Sequence, residues 1–247
     1  MRNVSETVKQ LIIINILFFV GTLILKDSAY KILALYFPEN PNFQYWQPLT
    51  HMFMHGGYMH IFFNMFALFS FGSALEHIWG SKKFLFFYIS CGLGAALLHT
   101  GVNYYYFQDG LNTLMEQGFS KSEVLAVLNG KSSQQIVPIL NTPDFQNFVS
   151  AYLGTAVGAS GAIYGIIVAF AFMFPNAELM LMFIPVPIKA KYFVPGLVLV
   201  DLYLGISGQS IFGGGGIAHF AHVGGALFGF IIMWYWKKNQ FNQNRWN

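Results

Sequence analysis

Gly158-Ala159-Ser160-Gly161-Ala162-Ile163-Tyr164-Gly165 stands inside an apolar run covering residues 152–174. Gly161 and Gly165 are four apart, so on a helix they form one small-residue face that lets another backbone come close. Such a face suits a bilayer, and the composition around it agrees. The chain has 247 residues, of which 55% are hydrophobic, 18% aromatic and only 9% charged. An average soluble domain carries about 25% charged residues, so a soluble globule is excluded. The abundance of Phe, Leu and Ile excludes disorder. A formal charge of +3 is too small and too scattered for nucleic-acid binding. The single cysteine, Cys91, excludes an internal disulfide framework.

The expected fold is therefore an all-α polytopic membrane protein with six transmembrane helices. Six apolar stretches supply them, at residues 11–25, 61–78, 84–102, 152–174, 192–207 and 218–236. The first reads as a retained signal anchor, since Lys26-Asp27-Ser28-Ala29-Tyr30 offers no small-residue cleavage site. Lys and Arg set the orientation. With the N-terminus inside, the inner segments hold Arg2, Lys9, Lys82, Lys83, Lys189, Lys191, Lys237, Lys238 and Arg245, against Lys26, Lys31, Lys121 and Lys131 outside. The reading is N-in and C-in. Residues 1–247 form one membrane-embedded domain with an outer-side insertion at about 103–150. In that insertion Ser120-Lys121-Ser122-Glu123 spells a capping box, Gly118 and Gly130 are helix stops, and Thr142-Pro143-Asp144 starts a further helix.

Polar residues inside apolar spans are costly and each needs a reason. His51 and His55 are four apart, as are His60 and Asn64. On a helix His60 and Asn64 share a face. They fit hydrogen-bond donors aimed into the bundle, histidine zinc ligands, or interhelical bonds that only hold the fold. Ser160 fits a nucleophile beside the free N–H groups of a helix N-terminus, or plain packing among Gly and Ala. His222 lies one turn before Gly225, and Gly225 and Gly229 form a second close-packing face. If the two glycine faces meet, Ser160 and His222 meet too, and a neutral His is a competent general base. Asp201 fits a triad acid, a proton path or a paired group in the bundle. Glu76 reads as tying down the loop near Lys82 and Lys83.

Together these pieces resemble the rhomboid family of intramembrane serine proteases. The resemblance runs from about Trp46 to Trp236. It rests on His55, His60 and Asn64 in series, Leu75-Glu76 before Gly80-Ser81, Gly158-Ala159-Ser160-Gly161 with Tyr164, and Ala221-His222 with Gly225 and Gly229. It implies a Ser–His dyad without an acid: Ser160 the nucleophile, His222 the base, Tyr164 stacked on the imidazole, His60 and Asn64 in the oxyanion hole. It implies no metal and no cofactor. The implied partners are the lipid bilayer and transmembrane protein substrates, cut near their outer ends, with the site opening outward from a bacterial cytoplasmic membrane. The alternative is an inactive rhomboid-like protein that binds membrane helices. Two features depart from the family. Trp46 is followed by Gln47 where the family usually has Arg, which leaves the anchoring of the first outer loop open. The 103–150 segment is longer than the short connection common in small bacterial members, and is expected to shape substrate access.

Overall fold

The computed structural model describes residues 4–181, 184–208 and 218–239, so Arg2 and Arg245 of the charge count lie outside the described residues. Six longer helices carry the fold: α1 (Glu6–Leu25), α2 (Tyr58–Trp79), α3 (Ser81–Glu116), α4 (Ser160–Met173), α5 (Ala190–Ser207) and α6 (Ala218–Asn239). Of these, α1, α2, α3 and α5 are long and apolar enough to cross a bilayer. Only 28% of α1's span is buried. Its outer face is Ile13, Leu17, Val20 and Ile24, a surface suited to lipid.

The structure departs from the expected fold chiefly in two spans and one connection. α4 does not start at residue 152: Tyr152 belongs to the short helix Gln146–Leu153, and an irregular segment with Gly158 at φ +131° precedes Ser160. Only glycine adopts that φ cheaply, so the helix cannot begin earlier. With 14 residues α4 is about 21 Å long, short of the ~30 Å hydrocarbon layer. α3 runs far past residue 102, to 36 residues and about 54 Å. Asn103, Phe107, Gly110, Leu111 and Leu114 are buried along this extension, at the 3–4 spacing of one helix face. Finally, the fold is not purely helical. β1 (Glu178–Leu181) and β2 (Ile184–Lys189) pair antiparallel between α4 and α5, with Glu178 opposite Lys189. Pro185 and Pro187 deny β2 a helix.

One end of the bundle is tied by Glu76. Its carboxylate accepts the Thr7 and Val8 amides at 2.9 Å each and the Ser81 hydroxyl at 2.7 Å. It thus caps α1, whose Ser5 makes no side-chain cap, and through Ser81 it ties down the turn next to Lys82 and Lys83, as expected. Lys83 instead sits over Trp236, 4.1 Å from the ring centroid. The start of α1, the end of α2, the start of α3 and the end of α6 therefore share one end.

At the opposite end, the 103–153 segment builds its own core. Phe107 stacks between Phe148 and Tyr152, at 5.4 and 5.6 Å, and Phe37 closes on it at 4.8 Å. The capping box forms as spelled: the Ser120 amide donates to Glu123 at 2.8 Å, and the Glu123 amide to Ser120 Oγ at 3.3 Å. Gly118 and Gly130 take φ of +96° and +97° at the flanking helix ends.

Candidate active site

The centre of the bundle is where α3, α4 and α6 touch. A Cβ on Gly225 would lie 1.8 Å from the Gly161 carbonyl oxygen, and one on Gly229 would lie 2.7 Å from Gly165 Cα. A Cβ on Gly165 would meet Cys91 Sγ of α3 at 2.4 Å. Backbone on backbone is the only packing these positions allow. This contact sets the height of α6 against α4 and so places the side chains above it.

The consequence is a short distance. His222 Nε2 lies 2.9 Å from Ser160 Oγ. Ser160 is the first residue of α4, and the first intrahelical bond there, Ile163 to Ala159, is 3.0 Å. The Ser160 and Gly161 amides precede that bond and have no partner within the helix. The Tyr164 ring, one turn further along α4, stacks on the His222 imidazole with centroids 4.4 Å apart and planes 9° apart. Ser160 and His222 are both half-buried, so the pair is reachable from one side.

The expected oxyanion residues sit on α2. A Cβ on Gly158 would lie 2.8 Å from His60 Nε2 and 3.4 Å from Ser160 Oγ, so the Gly158 backbone occupies the space between those two side chains. Asn64 is buried one turn after His60. Neither makes a hydrogen bond to Ser160. His55 packs edge-to-face on His60 at 5.0 Å. Burial, then the nearby His60, pulls the pKa of His55 down to about 3; burial pulls that of His51 down to about 4. Both are therefore neutral near pH 7.

The irregular segment before Ser160 is held from the connection between α1 and α2. The Gly158 amide donates to the His51 carbonyl at 2.9 Å, Leu35 and Ala156 exchange a pair of backbone bonds at 3.0 and 2.9 Å, and the Asn40 side chain donates through Nδ2 to the Tyr152 carbonyl at 3.0 Å. The loop itself is anchored by Gln47. Fully buried, its amide donates to the carbonyls of Lys31 (3.2 Å) and Asn42 (2.9 Å) and accepts the Tyr36 amide (3.3 Å). Trp46 adds a bond to Ile32 O at 2.8 Å. A neutral, three-bond hub does the anchoring at this position.

Two further side chains join the cluster. Asp201 of α5 accepts from His222 Nδ1 at 3.1 Å, from His219 Nδ1 and from the Tyr164 hydroxyl. The acid is outside the dyad that the resemblance implies, although the sequence leaves Asp201 open to a triad reading, and His219 joins it. Asp201, His219 and His222 each offer an atom within 4.8 Å of the others, close enough to converge on a metal ion. Those same atoms already serve one another as donors and acceptor, which is the arrangement of an orienting acid.

Chemically, the cluster combines a hydroxyl, an imidazole aimed at it, and donors around a half-open space. The family profile described as "Rhomboid domain" matches residues 42–239. The chain is similar to the mitochondrial Rhomboid protein 1 of Saccharomyces cerevisiae, 24% identical over 186 residues, covering 75% of this chain and 40% of that protein. It is similar to Rhomboid protease AarA of Providencia stuartii, 26% identical over 198 residues, covering 76% and 54%. It is also similar to the mitochondrial Presenilin-associated rhomboid-like protein of Bos taurus, 27% identical over 234 residues, covering 94% and 48%. The chain thus spans about half the length of these relatives.

Proposed function

The chain belongs to the rhomboid family of multi-pass membrane proteins, and from that premise we propose that it is an intramembrane serine endopeptidase. Its substrates are the transmembrane segments of other membrane proteins, cut near their outer ends. The observation that carries the reading is the 2.9 Å contact of Ser160 with His222 at the N-terminus of a short internal helix.

The chemistry runs in two halves. With Nδ1 protonated, His222 Nε2 accepts the Ser160 proton as Oγ bonds to the scissile carbonyl carbon. The carbonyl π pair moves onto oxygen, and the oxyanion is met by the Ser160 amide, His60 and Asn64. Losing one such donor typically costs about 100- to 1,000-fold in rate. The C–N bond then breaks, and Nε2–H gives its proton to the leaving amine. Water, activated by His222, hydrolyses the acyl-enzyme in the second half. Tyr164 holds the imidazole plane throughout.

Six spans, N-in and C-in in a bacterial cytoplasmic membrane, fit the Lys and Arg distribution. The shared end of α1, α2, α3 and α6 supports the same orientation. It puts Lys9, Lys82, Lys83, Lys237 and Lys238 on one side, with Ser160 toward the other, and we place the opening of the site there. The 103–153 segment leads directly to Gly158 and Ser160, and we assign it the control of substrate entry.

Reconstitution with a model transmembrane substrate tests the function. Ser160→Ala and His222→Ala should each abolish cleavage, and a fluorophosphonate probe should label only protein that retains Ser160. Cleavage surviving in either variant overturns the dyad. A wild type that binds such helices and neither cuts nor labels is instead the inactive, helix-binding form.

A further inference from the structure

We propose that Asp201 is a positioning residue that converts the Ser160–His222 pair into a triad. The proposal rests on the protease reading above.

A carboxylate only 5% exposed among apolar helices is expensive unless donors surround it. Asp201 has them, and none is a Lys or Arg among the described residues. Oδ2 accepts the Tyr164 hydroxyl from α4; Oδ1 accepts Nδ1–H of both His219 and His222 from α6. Every donor thus belongs to the helices that carry the dyad, and one is the general base itself. A purely structural anchor has no need to spend its bond on that ring.

The bond has a chemical consequence. A neutral imidazole carries one proton, and it must sit on Nδ1 if Nε2 is to accept from Ser160. The Asp201 carboxylate accepts only from the Nδ1–H tautomer. It also lies beside the positive charge that forms when Nε2 takes the serine proton. The stacking of Tyr164 fixes the plane of the ring but is blind to which nitrogen is protonated. Tyr164 and Asp201 therefore do separate tasks, and the Tyr164 hydroxyl links them by holding Oδ2. His219, three residues before His222, holds Oδ1 from the other side and keeps the carboxylate from turning away.

The test uses the reconstituted full chain and the model substrate. Asp201→Asn should lower kcat by between about 10-fold and the about 10⁴-fold typical of a triad acid, with KM within about twofold of wild type. Fluorophosphonate labelling of Ser160 should slow by the same factor, and Asp201→Glu should recover part of both. Tyr164→Phe keeps the ring on His222 and removes the hydroxyl from Oδ2. It should lower kcat by a smaller factor with KM unchanged, and it serves where Asp201→Asn fails to fold. A kcat within twofold of wild type in whichever of these variants folds overturns the proposal. So does wild-type activity that falls on chelation while Asp201→Asn is indifferent, which would give the carboxylate to a metal. Cleavage that persists in Ser160→Ala removes the protease reading itself, a separate outcome from either.

Discussion

The α4–α6 contact and the aromatic cluster of the 103–153 segment solve the same problem in opposite ways. Where α4 and α6 cross, Gly161, Gly165, Gly225 and Gly229 bring backbones together with no side chain between them. In the outer segment Phe107, Phe148 and Tyr152 fill the space with stacked rings. The difference follows from the solvent. Two helices in lipid gain nothing from hiding apolar surface from each other, so they are held by close contact and small residues. In the topology proposed above the 103–153 segment stands beyond the bilayer and has water to exclude, so large rings, a capping box and glycine stops serve it as they would a soluble domain. The first device fixes atomic height and therefore the Ser160–His222 distance. The second fixes a shape.

The sharpest way to break this contrast is Gly225→Ala. The added Cβ would fall 1.8 Å from a backbone oxygen, so a helix must move. The cost should exceed the about 3 kcal/mol that ordinary overpacking reaches. Folded protein and Ser160 labelling should be lost together; a labelled, stable variant would show that the glycine face is not what sets the site. Next comes Phe107→Ala, at about 3 kcal/mol or more for a buried ring. Here unfolding of the outer segment, read by hydrogen exchange, should come first, with Ser160 labelling retained in the protein that stays inserted. Simultaneous loss of both would mean the two regions are one cooperative unit.

The third test addresses the joint between them, where the His51 carbonyl holds the Gly158 amide. Burial lowers the pKa of His51 from its ordinary value of 6.5 to about 4. Stability from its neutral form is fully present above pH 6.5 and is lost as pH falls from 6.5 toward 4. The slope from one such group is at most about 1.4 kcal/mol per pH unit, and His55 adds the same sign. Thermal unfolding in detergent should show this acid-side loss, and His51→Gln should flatten it; an unchanged slope would remove His51 from the account. The smallest effect is expected for Ser120→Ala, about 1 kcal/mol for a lost N-cap. It should appear as faster proteolysis near residues 118–130 with cleavage activity untouched.

Much of the candidate site is legible in the sequence because it depends on spacing within single helices. Gly161 with Gly165, Gly225 with Gly229, and Tyr164 one turn after Ser160 all declare which residues share a face. What escapes depends on pairs distant in sequence. Asp201 is readable as a triad acid, a proton path or a paired group, but its partner His222 lies 21 residues on and on another helix, so spacing does not choose among them; Glu76 caps an amide 69 residues away. Gln47 looks like a weakened family position until its three bonds are seen. The extension of α3 was readable after all: 103, 107, 110, 111 and 114 keep helical spacing, but the polar and tyrosine-rich residues between them make the stretch look like a loop.

Cys91 is the sole thiol of the chain, buried in α3 against Gly165 of α4. The wild-type protein is in effect a ready cysteine-free background. Single cysteines introduced near Ser28, Ser132 or Lys238 can be tagged with membrane-impermeant maleimides without first altering the bundle. Sidedness of each helix end, and distances between spin labels across the 103–153 segment, can then be measured on the unaltered bundle itself.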